Sequence, residues 1–148
     1  MTVGLSARDV VARIQEQSPG SVVESGDSGI LVKGEALLKV ATFLKNTPEF
    51  DFNYLTSVTA VDYRDYFEVV YHLASLTHNH SLVLKVKCPD RDTAVVPSVT
   101  NLWRGADLQE REIYDLMGIR FEGHPNMKRI VLWEGFNGYP LRKDWKSD

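Results

Sequence analysis

The stretch that decides the fold runs from residue 54 to residue 88 and reads YLTSVTAVDYRDYFEVVYHLASLTHNHSLVLKVKC. It is rich in β-branched and aromatic residues, which favour strands. Two polar segments, Arg64-Asp65 and His78-Asn79-His80, interrupt it where turns would connect neighbouring strands. The sequence therefore predicts three consecutive strands joined by hairpins, over residues 54–63, 66–77 and 81–88.

Helices are predicted on both sides of these strands. In each helical segment, apolar residues recur three or four positions apart, as on the buried face of an amphipathic helix. Two short β-branched runs between the first two helices predict one further hairpin. The helices are predicted before Pro19, over 35–46, and over 98–103 with 106–117; the additional strands lie near 21–24 and 29–33, and 89–97 is predicted as loop.

The predicted element order defines the fold class. It is α-β-β-α-β-β-β-α followed by an extended tail, and grouped hairpins of this kind do not form regular βαβ units. We therefore expect a two-layer α+β fold, with helices packed on one face of a largely antiparallel, mixed sheet. The length of 148 residues suits one domain. We divide it into an α+β domain over residues 1–121 and an extended C-terminal arm of the same domain over residues 122–148.

Composition excludes several classes of function. Apolar residues make up 43% and charged residues 25%, as in ordinary globular domains, and the net charge of −3 offers no general attraction to nucleic acid. A single cysteine, Cys88, cannot form an internal disulfide or supply the thiolates of an iron–sulfur cluster. The alternating pattern around Cys88 predicts a core residue. The chain also lacks the long apolar run of a membrane span.

His78 and His80 are the candidate metal ligands. Two histidines at positions i and i+2 can share one face of a strand, but a metal would need a third ligand from His72, His124 or a carboxylate. A polar hairpin turn is the simpler interpretation, and a small stand-alone metalloenzyme is the alternative. The chain contains no glycine-rich phosphate loop, nucleophile elbow or zincin spacing, so we expect no catalytic centre.

The predicted helix over 106–117 carries a carboxylate on its apolar face. Glu110 lies beside the stripe formed by Ala106, Ile113 and Met117, and a buried carboxylate needs a partner. We expect a charge-assisted pair with an arginine from the later part of the chain, which would be Arg120, Arg129 or Arg142.

The same helix has a second, charged face. Arg111 and Asp115 are four residues apart, and they point away from the apolar stripe. A helix with two such faces suits a position between the core and another structure.

The C-terminal arm combines glycine and proline with aromatic and basic residues. Structureless stretches of this length are uncommon inside compact domains, and stretches rich in aromatics and arginine are typical of binding surfaces. The arm could fold back on its own domain or wrap a neighbouring subunit, and we slightly favour the neighbour. The residues concerned are Trp133, Phe136, Tyr139, Trp145, Arg142 and Lys143.

Four segments carry a family resemblance. They read EREIYDLMG at 110–118, FEGHP at 121–125, KRI at 128–130 and PLRKD at 140–144. Together they closely resemble the signature of the thirty-kilodalton subunit family of respiratory complex I, which includes the C subunit of bacterial NADH-quinone oxidoreductase. The resemblance continues upstream through residues 97–99 and 53–55, so it covers most of the chain.

The resemblance implies a non-catalytic structural subunit in the hydrophilic arm of a membrane-attached, proton-translocating NADH-quinone oxidoreductase. Such subunits hold no cofactor, while flavin and iron–sulfur clusters belong to partner subunits. The implied partners are the hydrogenase-like large subunit, of the D type, and the cluster-bearing small subunit, of the B type, which form the quinone site. The implied location is peripheral, on the cytoplasmic side of the cell membrane. An equivalent subunit of a membrane-bound nickel-iron hydrogenase or ferredoxin-linked complex is the alternative.

The resemblance also assigns roles to residues. We expect the signature positions to serve as scaffold or partner interface, with His124 as a hydrogen-bonding anchor. These positions are Glu110, Arg111, Glu112, Asp115, Gly118, His124, Pro125, Lys128, Pro140, Leu141, Arg142, Lys143 and Asp144.

Overall fold

The computed structural model describes residues 3–4, 7–26, 28–133 and 135–146. Residues 1–2 of the predicted α+β domain and residues 147–148 of the predicted C-terminal arm lie outside the described residues. Its three α-helices are α1 (Ala7–Gln17), α2 (Leu37–Asn46) and α3 (Ala106–Met117). A 3-10 turn, Gly34–Ala36, precedes α2. The strands are β1 (Val3–Gly4), β2 (Val22–Gly26), β3 (Gly29–Val32), β4 (Tyr54–Asp62), β5 (Phe67–Ser75), β6 (His80–Cys88), β7 (Val95–Pro97) and β8 (Arg120–Glu122).

The main sheet is mixed and mostly antiparallel. Its strand order is β2-β3-β6-β5-β4, and β1 pairs with the beginning of β6. The β2–β3, β4–β5 and β5–β6 pairs are antiparallel, whereas β3 and β1 run parallel to β6. The predicted α+β fold and the three consecutive strands are therefore confirmed.

The core lies between the helices and one face of the sheet. In β6 every second residue is buried, because successive side chains of a strand point to opposite faces. Ile14 of α1 and Leu44 of α2 are fully buried in the same cluster. Cys88 ends the buried row of β6, as predicted, and burial raises the pKa of its thiol to about 11.

The β5–β6 turn contains the two candidate metal ligands. His78 Nε2 lies 2.6 Å from the carbonyl oxygen of Pro48, and His80 Nε2 lies 2.7 Å from that of Phe50. Each ring therefore donates to a backbone carbonyl and ties the turn to the preceding loop. Within the described residues, no three His, Cys, Asp or Glu side chains form a group that could hold a metal. The geometry of the two rings thus fits the polar turn.

Two predictions between β6 and α3 are wrong. Residues 89–97 are not all loop, since β7 pairs there in parallel with β8. Residues 98–103 form turns rather than a helix. The Ser98 hydroxyl and the Val99 N–H donate there to Glu110 of α3. Trp103 closes this segment by donating its indole N–H to the Phe52 carbonyl at 2.9 Å.

In the described parts of the chain, no helix combines the length and hydropathy that a membrane crossing requires.

Candidate functional site: helix α3 and the C-terminal arm

Glu110 is fully buried beneath the turn that follows β7. Its carboxylate accepts hydrogen bonds from the Ser98 hydroxyl at 2.6 Å and from the Val99 N–H at 2.9 Å. Burial raises the pKa of Glu110, and these two donors act in the opposite direction. The prediction that Glu110 pairs with an arginine is wrong. Glu110 faces the core, whereas Arg129 reaches a different face of α3.

Asp115 is the carboxylate that receives an arginine and holds the arm. Its Oδ2 accepts the N–H groups of Ile130, Val131 and Leu132, at 3.0, 2.6 and 2.9 Å. Its Oδ1 accepts Nη1 of Arg129 at 2.9 Å. Burial opposes ionisation of this fully buried group, but the four donors prevail and lower its pKa. Asp115 is therefore an ionised anchor for the arm.

Arg111 binds the same loop of the arm from one helical turn earlier. Its Nε donates to the Lys128 carbonyl at 3.1 Å, and its Nη2 donates to the Arg129 carbonyl at 3.2 Å. Arg111 thus binds two carbonyl groups of this loop, and Asp115 binds the N–H groups of the three residues that follow them. The charged face predicted on α3 is the face on which the arm lies.

Asp62, the last residue of β4, forms a second anchor. Its carboxylate accepts the Lys143 N–H at 2.7 Å, the Arg64 N–H at 2.7 Å, and a two-point contact from Arg91. The Arg91 guanidinium is the main cause that holds the pKa of Asp62 well below its usual range. Arg91 also pairs with Asp144 at 3.3 Å, so the end of the arm is fixed to the sheet.

Arg142 joins the arm to the end of α3. Its Nε donates to the Met117 carbonyl at 2.6 Å, and its guanidinium lies 4.9 Å from the centre of the Tyr139 ring. Gly118 has a φ of 78°, and a Cβ added there would lie 2.7 Å from Arg142 Nη2. The close approach of the arm and the left-handed backbone both require glycine at this position.

His124 is an internal anchor, as the resemblance implies. Its side chain is fully buried, and Nδ1 accepts the Asn126 N–H at 2.9 Å. The proton therefore resides on Nε2, which lies 3.1 Å from the Asp107 carbonyl oxygen and 2.9 Å from its Oδ1. Nε2 therefore holds the start of the arm against α3, and Nδ1 fixes the turn within the arm.

The arm packs on its own domain through backbone groups and through the side chains of Arg129, Arg142 and Asp144. This is the less favoured of the two predicted arrangements. Several of its apolar side chains nevertheless face solvent. Trp133 is 69% exposed, Val131 61% and Leu141 60%. Phe136 packs between Trp133 and Trp145, with ring centres 6.2 and 6.4 Å away. The arm thus contacts α3 on its inner side and presents an apolar surface on its outer side.

The structure brings most of the predicted site residues together around α3 and the arm. Three anchoring residues were missed: Ser98, Asp62 and Arg91. The position of Asp62 at the end of a predicted strand was the one feature of the sequence that could have pointed to it as an anchor. No feature of the sequence pointed to Arg91. The predicted residues whose side chains remain exposed are Glu112, Pro125, Lys128, Leu141, Lys143 and Asp144, while Pro140 is half-buried.

Comparison with known structures defines the class of protein first. The fold matches a chain of the membrane-bound sulfane sulfur reductase, an archaeal respiratory membrane complex, with a TM-score of 0.73 and 26% identity. The match covers 94% of this chain and 85% of that one. The fold is thus shared with a chain of one respiratory membrane complex.

Sequence comparison then gives the family. Residues 30–148 match the family described as respiratory-chain NADH dehydrogenase, 30 Kd subunit, and the chain belongs to it. The NADH-quinone oxidoreductase C subunit of Roseiflexus castenholzii is 42% identical over 142 residues, which cover 91% of this chain and 81% of that protein. The corresponding C 2 subunit of Rhizobium etli is 44% identical over 117 residues, covering 77% of this chain and 62% of that protein. The family resemblance is confirmed.

Proposed function

We propose that the chain is a non-catalytic structural subunit of a membrane-attached NADH-quinone oxidoreductase of the proton-translocating complex I type. In this role it clamps the hydrogenase-like large subunit, which forms the quinone site together with the cluster-bearing small subunit. The names of its NADH-quinone oxidoreductase relatives support the type of complex. The chain would lie peripherally, on the cytoplasmic side of the membrane.

The exposed apolar side of the C-terminal arm is the observation that carries the proposal. The arm uses its N–H and carbonyl groups on Asp115, Arg111 and Asp62, so its outward side chains are available to another protein. Contiguous exposed apolar surface marks interaction sites in soluble domains, and tryptophan is a frequent contributor to interface energy. Trp133 is therefore the expected centre of the contact.

The anchoring of the arm suits a clamp. A segment already held in one conformation loses less conformational entropy when its partner binds than a mobile segment does. The buried carboxylates of Glu110, Asp115 and Asp62 are all used in hydrogen bonds within the chain. Their role is therefore positional, and the flavin and iron–sulfur chemistry is expected in partner subunits.

Binding to the purified large subunit tests this function. We expect the wild-type full-length chain to bind it, and Trp133→Ala to weaken binding about tenfold or more. Leu76→Ala is the matched control, because Leu76 is 71% exposed in the β5–β6 turn. The proposal fails if the wild-type chain does not bind, or if it oxidises NADH by itself.

A second candidate is the equivalent subunit of a hydrogenase-type or ferredoxin-linked complex. The match to a chain of the archaeal sulfane sulfur reductase supports considering a respiratory membrane complex other than an NADH-quinone oxidoreductase, because that chain shares the fold over 94% of this one. The donor assay uses the assembled complex purified through this subunit. Reduction of a quinone by NADH supports the first candidate, whereas activity with reduced ferredoxin alone supports the second.

A further inference from the structure

A groove runs between α3 and the outer edge of β4. It has a volume of about 310 Å³ and is mostly apolar. In the described sheet β4 is the last strand of the path, so this edge has no neighbouring strand. The groove is lined by residues 58–60 of β4, by the side of α3 that carries Gln109, Glu112 and Leu116, and by Leu141 of the arm. We call it the β4–α3 groove.

Gln109 determines what kind of group can enter the groove. Its Oε1 accepts the Val58 N–H at 2.7 Å, and its Nε2 donates to the Gly105 carbonyl at 2.9 Å. The outward N–H of Val58 is therefore already used, and a partner strand cannot extend the sheet there by backbone pairing. The volume is at the small end of the range for ligand pockets, which suits inserted side chains.

Glu112 gives the groove its charge. Among the residues that line it, Glu112 is the one with an ionisable side chain, and it is exposed at the rim. The described part of the chain offers Glu112 no ion pair. Its neighbours four residues away, Leu108 and Leu116, are apolar. Of its neighbours three residues away, Gln109 is uncharged and Asp115 is paired with Arg129. A lone carboxylate above an apolar floor is complementary to a cation on an aliphatic stem.

A long basic side chain is a cation on an aliphatic stem. Lysine and arginine bury their methylene stems along apolar surface and keep the charged end near the rim. Leu116 and Leu141 lie side by side in the groove, joined by a hydrogen bond from the Leu141 N–H to the Leu116 carbonyl at 2.9 Å. They supply an apolar wall for such a stem, and Glu112 accepts the hydrogen bonds of the cationic end.

We propose that the β4–α3 groove receives one long basic side chain from a helix or loop of the large subunit. Its stem lies against Leu116 and Leu141, and its charged end binds Glu112. The inference rests on the proposed function, because it names a contact made by the same partner. It is separate from the aromatic surface of the arm, since Trp133 does not line the groove.

Binding of full-length variants to the purified large subunit tests the inference. We expect Glu112→Gln to raise Kd about tenfold, and Glu112→Arg to raise it further because like charges then meet. The matched controls are Glu16→Gln and Glu16→Arg on the exposed side of α1. Leu141→Ala should also weaken binding, with Leu76→Ala as its control. All these side chains are exposed, so the melting temperatures should stay close to that of the wild-type chain.

A salt series adds a second readout. The affinity of the wild-type chain should fall with salt, and Glu112→Gln should reduce that dependence. The inference is overturned if both Glu112 variants bind like the wild-type chain while Trp133→Ala still weakens binding, and the proposed function then survives. If the wild-type chain does not bind the large subunit, the proposed function fails and the inference fails with it.

Discussion

Asparagine in place of Asp115 should release the C-terminal arm from α3. The wild-type carboxylate accepts three consecutive N–H groups on one oxygen and Arg129 on the other. Asparagine has the same shape but only one acceptor oxygen, so its NH2 group must face donors. The substitution therefore removes a buried charge partner without leaving a cavity.

The expected loss is large compared with the stability of a domain. A hydrogen bond to a charged group contributes about 1.5–3 kcal/mol, and breaking a buried ion pair by removing one partner costs about 3–5 kcal/mol. We therefore expect Asp115→Asn to lower the free energy of unfolding by about 3–5 kcal/mol. Domains are stable by about 5–15 kcal/mol, and the melting temperature should fall by on the order of 10 °C.

Urea unfolding and amide hydrogen exchange together measure the effect. If the arm detaches before the domain unfolds, the amides of Ile130, Val131 and Leu132 should lose protection while those of β5 and β6 keep it. Asp65→Asn, in the exposed β4–β5 turn, is the matched control. Unchanged stability together with unchanged exchange at these three amides would refute the anchoring role of Asp115.

The pH dependence gives an independent check on the same residue. The pKa of Asp115 is lower in the folded chain than its ordinary value, so the stability it contributes is present above pH about 4. That contribution is lost as the pH falls through the folded pKa. The acid side of the wild-type stability curve should therefore be steeper than that of Asp115→Asn, and equal slopes would contradict the prediction.

Three further substitutions have defined outcomes. Glu110→Gln should change the stability at pH 7 by less than about 1 kcal/mol, because the amide oxygen can accept one donor and the Ser98 hydroxyl can rotate; urea unfolding measures it. The pKa of Glu110 is raised by burial, so its contribution to stability should increase as the pH falls through the raised pKa towards the ordinary glutamate value of 4.5, and this gain should be absent in the variant. Gly118→Ala should cost about 1–3 kcal/mol, since the left-handed backbone is strained and the methyl group meets Arg142, and thermal melting checks it. Asp62→Asn should cost about 3–5 kcal/mol and loosen residues 143–146, which limited proteolysis detects; resistance equal to that of the wild-type chain would argue against the anchor.

The local pattern of the sequence was sufficient for strands β2 to β6 and for α3, but not for the short strands β1, β7 and β8. Residues 54–88 alternate or cluster β-branched residues between two polar turns, so their pairing follows from neighbours in sequence. The two faces of α3 were also visible, because a 3.6-residue period places Glu110 and Arg111 on different sides. These features depend on short spacings that the sequence displays directly.

The spacing of residues in the sequence could not predict the hydrogen-bond partners of the buried carboxylates. Glu110 is satisfied by the Val99 N–H and Asp115 by three N–H groups of the arm, and a backbone N–H has no residue identity to recognise in a sequence. A charged residue predicts that a partner exists, but the turn that brings a backbone group to it depends on tertiary structure. The predicted arginine for Glu110 was wrong for this reason.

Three consecutive residues of α3 show how one helix serves three neighbours. Glu110, Arg111 and Glu112 point about 100° apart, because the helix has 3.6 residues per turn. The first binds the turn that follows β7, the second binds the carbonyls of the arm, and the third faces the β4–α3 groove. The first two contacts are complete within the chain, so changes to them should appear in the isolated subunit, as altered stability or, for Glu110→Gln, as altered pH dependence of stability. The third is open, and its loss should appear only when a partner is present; a stability defect in Glu112→Gln would show that this division of roles is wrong.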